Sequence, residues 1–118
     1  MTVRSFRDLL AWQRAIDLAE AVYEATRTWP RDEAYGLTAQ VRHAAVSVMA
    51  NIAEGKGRTG SREFLHHLSI ADGSLAEAEA HLLLARRLGF LDAVAFETLE
   101  HQIEETRSLL RGLIRSLR

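Results

Sequence analysis

Between Leu37 and Glu54 the chain leaves itself almost no polar surface, and that stretch limits the fold more than any other. Leu37, Val41, Ala44, Ala45, Val48 and Ile52 recur at helical spacing and form one apolar face. Val46, Met49, Ala50 and Ala53 lie on other sides, so the polar remainder is a narrow line through Gln40, His43, Ser47, Asn51 and Glu54. A helix that is apolar nearly all round is buried on more than one side. The chain has 118 residues, which predicts a single domain over 1–118 with one core. Another subunit is then the natural second cover for this helix. Its alanines let neighbouring backbones approach closely.

Three other segments carry helical periodicity. Ser5 followed by Asp8 marks a helix start. Leu9, Trp12, Ile16, Ala19, Tyr23 and Thr26, flanked by Leu18 and Val22, then define an apolar face opposite Gln13, Asp17, Glu20, Glu24 and Arg27. Trp29-Pro30 ends this helix, because the residue before proline is pushed out of helical conformation. Arg31 to Gly36 reads as a connector with one helical turn at Asp32-Glu33-Ala34. After the second helix, Gly55 and Gly57 supply a stop and Gly60-Ser61 supplies the next N-cap. A third helix is predicted from about Arg62 to Leu88, with Phe64, Leu68, Ala71, Leu75, Ala78, Leu82 and Ala85 in heptad-like register.

Gly73 sits in the middle of that helix, where it costs about 1 kcal/mol relative to alanine. Close approach of a neighbouring helix is the expected compensation. Gly89 closes the third helix, and Asp92 caps a fourth carrying Phe96, Leu99, Ile103, Thr106, Leu110, Leu113 and Leu117. The acids Glu97, Glu100, Glu104 and Glu105 precede the bases Arg107, Arg111, Arg115 and Arg118, as the helix dipole favours. No run alternates with period two for long enough to form a strand. Short connections between long helices predict an all-α, antiparallel up-down-up-down four-helix bundle.

Composition narrows the function classes. Cysteine is absent, which excludes disulfides, thiolate metal sites and cysteine nucleophiles. The apolar runs are far shorter than the roughly 20 residues that span a bilayer. Met1-Thr2-Val3-Arg4 leads into an amphipathic segment, so no secretory signal is expected and a cytoplasmic, non-membrane location is the default. With a net charge of -1, nucleic-acid binding has to come from a local basic patch rather than from bulk charge. Lys56 is the sole lysine, and arginine supplies the remaining positive charge.

Gly55-Lys56-Gly57-Arg58-Thr59-Gly60 matches the G-x-G-x-x-G string, but a helix precedes it where the dinucleotide fingerprint needs a strand. No cofactor is therefore expected. An anion or nucleic-acid contact remains, built from Lys56, Arg58 and Arg62 beside free backbone N–H groups at the start of the third helix. Metal readings are thinner: Glu63-Phe64-Leu65-His66 is the one Glu-x-x-His motif, and a di-metal bundle needs two. Glu77 and His81, one turn apart, form a weak single-metal alternative, although such pairs are usually surface pairs. Nothing resembles a nucleophile elbow or an ordered triad, so no catalytic residue is assigned and enzyme activity is not expected. Ser47, Asn51 and Glu54 are read as a structural polar seam with Arg42, Ser74 and Glu77 as partners, in preference to a functional surface.

Phe6, Leu9 and Trp12 are followed in order by Pro30, Glu33 and Tyr35-Gly36-Leu37, then Gln40, Arg42, Ala44-Ala45, Ser47, Asn51-Ile52-Ala53-Glu54-Gly55 and Arg58. Gly73-Ser74-Leu75 and Glu77 complete the series. This order resembles a bacterial family of four-helix-bundle proteins encoded within intervening sequences of 23S ribosomal RNA genes. The resemblance implies a bundle that assembles into a homopentamer, with no established enzyme activity and no catalytic residues. Related accessory variability determinants of diversity-generating retroelements form similar rings that engage RNA and a reverse transcriptase through a basic surface. This chain has Arg42-His43 where the family often has two basic residues before the paired alanines. The function expected from residues and resemblance together is a ring-forming scaffold or binding module associated with RNA. The alternative is a metal- or small-ligand-binding bundle.

Overall fold

The computed structural model describes residues 4–118. Met1-Thr2-Val3, which were read above for a secretory signal, lie outside the described residues. Four helices dominate: α1 (Leu10–Thr26), α2 (Leu37–Lys56), α3 (Ser61–Arg87) and α4 (Ala93–Ser116). Among the described residues there is no strand. Each helix packs on its neighbour in the chain, and α4 returns to α1, so the helices close a ring in chain order. Side-chain pairs give the direction. Ser47 meets Ser74, Asn51 meets His67 and Gly55 meets Phe64, so α2 ascends as α3 descends. Likewise Glu79 meets Arg107 and Asp72 meets Arg111 across α3 and α4. The bundle is therefore antiparallel, and its 43 Å long axis is set by α3, whose residues rise about 1.5 Å each.

The first helix departs from its periodicity. Ser5 and Asp8 do form a capping box, but it closes a 3-10 turn at Phe6–Asp8. Leu9 then leaves in extended conformation and α1 begins at Leu10. Its buried residues are Ala11, Ala15, Leu18, Ala19, Val22 and Thr26, while Ile16 and Tyr23 are 38% and 44% exposed. The buried face is thus rotated toward the small residues, which admit α2 and α4 at close range. Tyr23 is left at the edge, where the Arg42 guanidinium lies 4.5 Å from its ring centre. Beyond Thr26, Trp29 is buried against Phe90. The connector contains its single helical turn at Arg31–Glu33, and Glu33 Oε1 accepts from the Leu37 N–H at 3.1 Å to start α2.

On α2, α3 and α4 the periodic faces become the core, with Val41, Val48, Ile52, Leu68, Leu75, Leu82, Ile103 and Leu110 all fully buried. Two glycines behave otherwise than expected. Gly55 is not a stop: it lies inside α2, where an added Cβ would stand 2.8 Å from His67 Cβ and 3.0 Å from Phe64 Cδ1. Gly73, for which close helix approach was expected, has nothing within 4 Å of an added Cβ. The N-cap of α3 is Gly60, with φ 89, and Ser61 is the first helical residue. Gly89, with φ 82, ends α3 in a paired motif in which its N–H bonds Arg86 O and the Phe90 N–H bonds Ala85 O at 2.9 Å. Asp92 caps α4 through the Ala95 N–H at 2.8 Å. No described helix is long and apolar enough to cross a membrane.

Candidate functional site

The narrow polar line of α2 runs along the groove between α2 and α3. Asn51 Nδ2 donates to the Ser47 carbonyl at 2.9 Å and to Ser47 Oγ at 3.0 Å. Ser47 Oγ also shares a hydrogen bond with Ser74 Oγ at 2.8 Å. The remaining Asn51 atom, Oδ1, lies 3.2 Å from His67 Nδ1. Four side chains on two helices thus favour one axial register, since a shift by one turn breaks both bonds that cross between the helices, Ser47–Ser74 and Asn51–His67. His67 was absent from the sequence-based seam. The spacing Asn51 to Gly55 on α2 and Phe64 to His67 on α3 contained the signal, but only the register of the two helices pairs them.

Two of the partners assigned to the seam sit elsewhere. Arg42 faces α1, where its Nε donates to Thr26 Oγ1 at 2.8 Å. It is nine residues from Asn51, a half-integral number of helical turns, so the two point to opposite sides of α2. Glu77 lies exposed farther along the α2–α3 groove, in a hollow with Ala39, Gln40 and His43. His81, its partner in the single-metal reading, is half-buried. Neither belongs to a converging group of three ligand side chains among the described residues.

At the far end of the groove, Arg58 and Arg62 line one hollow of about 540 Å³ together with Glu63, His66 and His67. Lys56 is half-buried at the end of α2 and outside that lining. Arg58 Nη2 donates to Glu54 Oε1 at 2.7 Å. That hydrogen bond, aided by positive charge on His67, holds the Glu54 carboxyl below its usual value. Glu54 is thus tied to the arginine end rather than to Ser47.

Between α3 and α4 lies a charged cluster that the sequence did not reveal. Carboxylate oxygens of Glu79, Glu100 and Glu104 fall within 4.8 Å of one another. Arg107, only 14% exposed, donates to Glu79 Oε1 at 2.7 Å and also to Glu104. Its guanidinium already neutralises two of the three carboxylates, which gives the cluster a structural explanation. Glu100 Oε2 is buried without a partner while it is a carboxylate oxygen. A proton makes Glu100 a donor toward Glu79. That shared hydrogen bond, then burial, then the charges of Glu79 and Glu104, push Glu100 up to about 7. Glu79 is held low, first by the Glu100 hydrogen bond and then by Arg107.

A raised carboxyl means that the folded chain holds a proton which the unfolded chain releases. Between the ordinary value of 4.5 and about 7, stability therefore falls as pH rises. Glu79 acts in the opposite sense, adding stability that is lost only as pH falls into the carboxylate range. Glu100→Gln keeps a donor and removes the titration. It is expected to raise stability at about pH 8 by about 1 kcal/mol, allowing for solvent screening. Urea unfolding across this range checks it: an unaltered pH profile in the variant would remove Glu100 as the source.

The fold and its polar groove define a class, an all-α four-helix bundle whose helices are held in register by hydrogen bonds between side chains. The chain belongs to the 23S rRNA-intervening sequence protein family, whose model matches residues 7–112. It is also similar to the crystal structure of a protein of unknown function from the S23 ribosomal protein family of Bacteroides thetaiotaomicron VPI-5482. That likeness has 20% identity and a TM-score of 0.81, and covers 90% of this chain and 96% of the other. At this identity it shows the fold alone. Comparison with curated proteins gives no match.

Proposed function

We propose that this protein is a non-enzymatic helical scaffold that works as a ring-forming homo-oligomer, a homopentamer if it follows the assembly that the family likeness implies. The observation that carries this reading is the outward face of α3. Opposite the buried line of Leu68, Leu75 and Leu82, the residues Ile70, Gly73, Ala80, Leu84 and Leu88 share one face, interrupted by Glu77. Ile70, Leu84 and Leu88 are 40%, 48% and 53% exposed. Gly73 bares its backbone on the same face, and within one chain nothing offsets its helix cost of about 1 kcal/mol. A helix from a second chain pressed against that face supplies both the apolar cover and the compensation. On α2, Val46, Ala50 and Ala53 likewise stay outside the core of the single chain.

Light scattering coupled to size exclusion is expected to give a mass several times that of one chain. Leu84→Glu places a charge in the stripe and is expected to shift the mass toward the monomer with the helical circular dichroism retained. A monomeric unsubstituted protein overturns the scaffold reading. Association with RNA is a second role, supported by the convergence of Arg58 and Arg62 on one hollow beside the start of α3.

A further inference from the structure

Resting on the RNA-association reading, we propose that the hollow at the Arg58 end of the α2–α3 groove is a phosphate site switched on by protonation of His66 and His67. The charges around it explain why a switch is needed. Arg58 is paired with Glu54, and Arg62 shares the hollow with Glu63. With both imidazoles neutral, these two cations and two anions cancel, and a phosphate group gains little net attraction. Imidazole side chains take up a proton across the near-neutral range. Protonating both turns the hollow into a site with a double positive charge.

The groove determines where the proton goes. Asn51 spends its Nδ2 on Ser47, so the atom facing His67 Nδ1 is the acceptor Oδ1. The His67 ring therefore carries hydrogen on Nδ1, and Nε2 is the atom that gains the proton. The groups around this ring are Asn51 and Glu54 from α2, Arg58 from the connection, and Arg62, Glu63 and His66 from α3. The His66 and His67 ring centres are 5.8 Å apart. Two imidazolium charges at that distance repel, and a phosphate bound beside them relieves the repulsion. Phosphate binding and proton uptake then reinforce each other.

The test is the anisotropy of a labelled single-stranded RNA lacking a terminal phosphate, so that the probe itself does not titrate. Binding is expected to be roughly tenfold tighter at about pH 6 than at about pH 8. The slope of log K against log salt is expected to steepen by roughly 0.7 for each imidazolium formed, which a purely structural role for the histidines does not produce. Inorganic phosphate is expected to compete at the lower pH. His66 is exposed, so His66→Gln leaves the fold intact and is expected to lose about half of the added slope. The His66→Gln, His67→Gln double variant is expected to bind equally at both pH values. If unsubstituted protein binds RNA equally at both, or the pH gain survives in His66→Gln undiminished, the switch is overturned and the RNA association stands. Absence of RNA binding at either pH removes both.

Discussion

Gly55→Ala is expected to destabilise the bundle by about 2–3 kcal/mol, although alanine is the better helix former by about 1 kcal/mol. Gly55 lies within α2, and its added methyl would sit 2.8 Å from His67 Cβ, 3.0 Å from Phe64 Cδ1 and 3.4 Å from the Phe64 carbonyl. His67 Cβ is attached directly to the α3 backbone, so no side-chain rotation relieves the contact. The helices have to part. Parting them stretches the Asn51–His67 and Ser47–Ser74 hydrogen bonds, and the whole groove loosens. A lower urea midpoint with an unchanged dependence on denaturant is the expected observation. A midpoint at or above that of the unsubstituted protein would show that separation is cheap. Gly112→Ala is the natural control, because an added Cβ there meets nothing nearer than Arg115 Nη2 at 3.8 Å.

Arg107→Met should cost about 2 kcal/mol at about pH 8, between the values typical of exposed and of fully buried ion pairs. Methionine retains an apolar stem but removes the cation between Glu79 and Glu104. Three carboxylates then remain within 4.8 Å without a neutralising partner. Protons are the only replacement available to them. Carboxyl values in the folded state rise further, the folded chain binds more protons than the unfolded one, and stability drops more steeply with increasing pH. The deficit is therefore expected to shrink on moving to about pH 5, where protonation removes the repulsion. Unfolding of the variant at both pH values checks this. An equal deficit at both would assign the effect to lost packing of the arginine stem.

Three of the four helices were legible because burial periodicity is a local property. Leu68, Ala71, Leu75, Ala78, Leu82 and Ala85 face inward as their spacing requires, and Leu99, Ile103, Thr106 and Leu110 do the same on α4. The first helix was read less well. Its large residues suggested one face, whereas its alanines mark where neighbouring backbones come closest. The polar groove was half legible. Ser47, Asn51 and Ser74 follow from the sequence as one group, whereas His67 does not, and Arg42, Glu54 and Glu77 lie outside that group.

The amino-acid order alone settles helix content, the sharp end at Gly89 and Asp92, and which stripe of α2, α3 and α4 turns inward. These follow from 3.6-residue periodicity and from backbone preferences within a few residues of each position. It also carries family membership, since the family model matches residues 7–112. The tertiary structure decided everything that depends on how one helix is shifted and rotated against another. It made Gly55 rather than Gly73 the point of closest approach, joined His67 to Asn51, and set Glu79 beside Glu100 and Arg107. Those pairings arise from the simultaneous packing of all four helices, and no single segment contains the distance that separates it from the next.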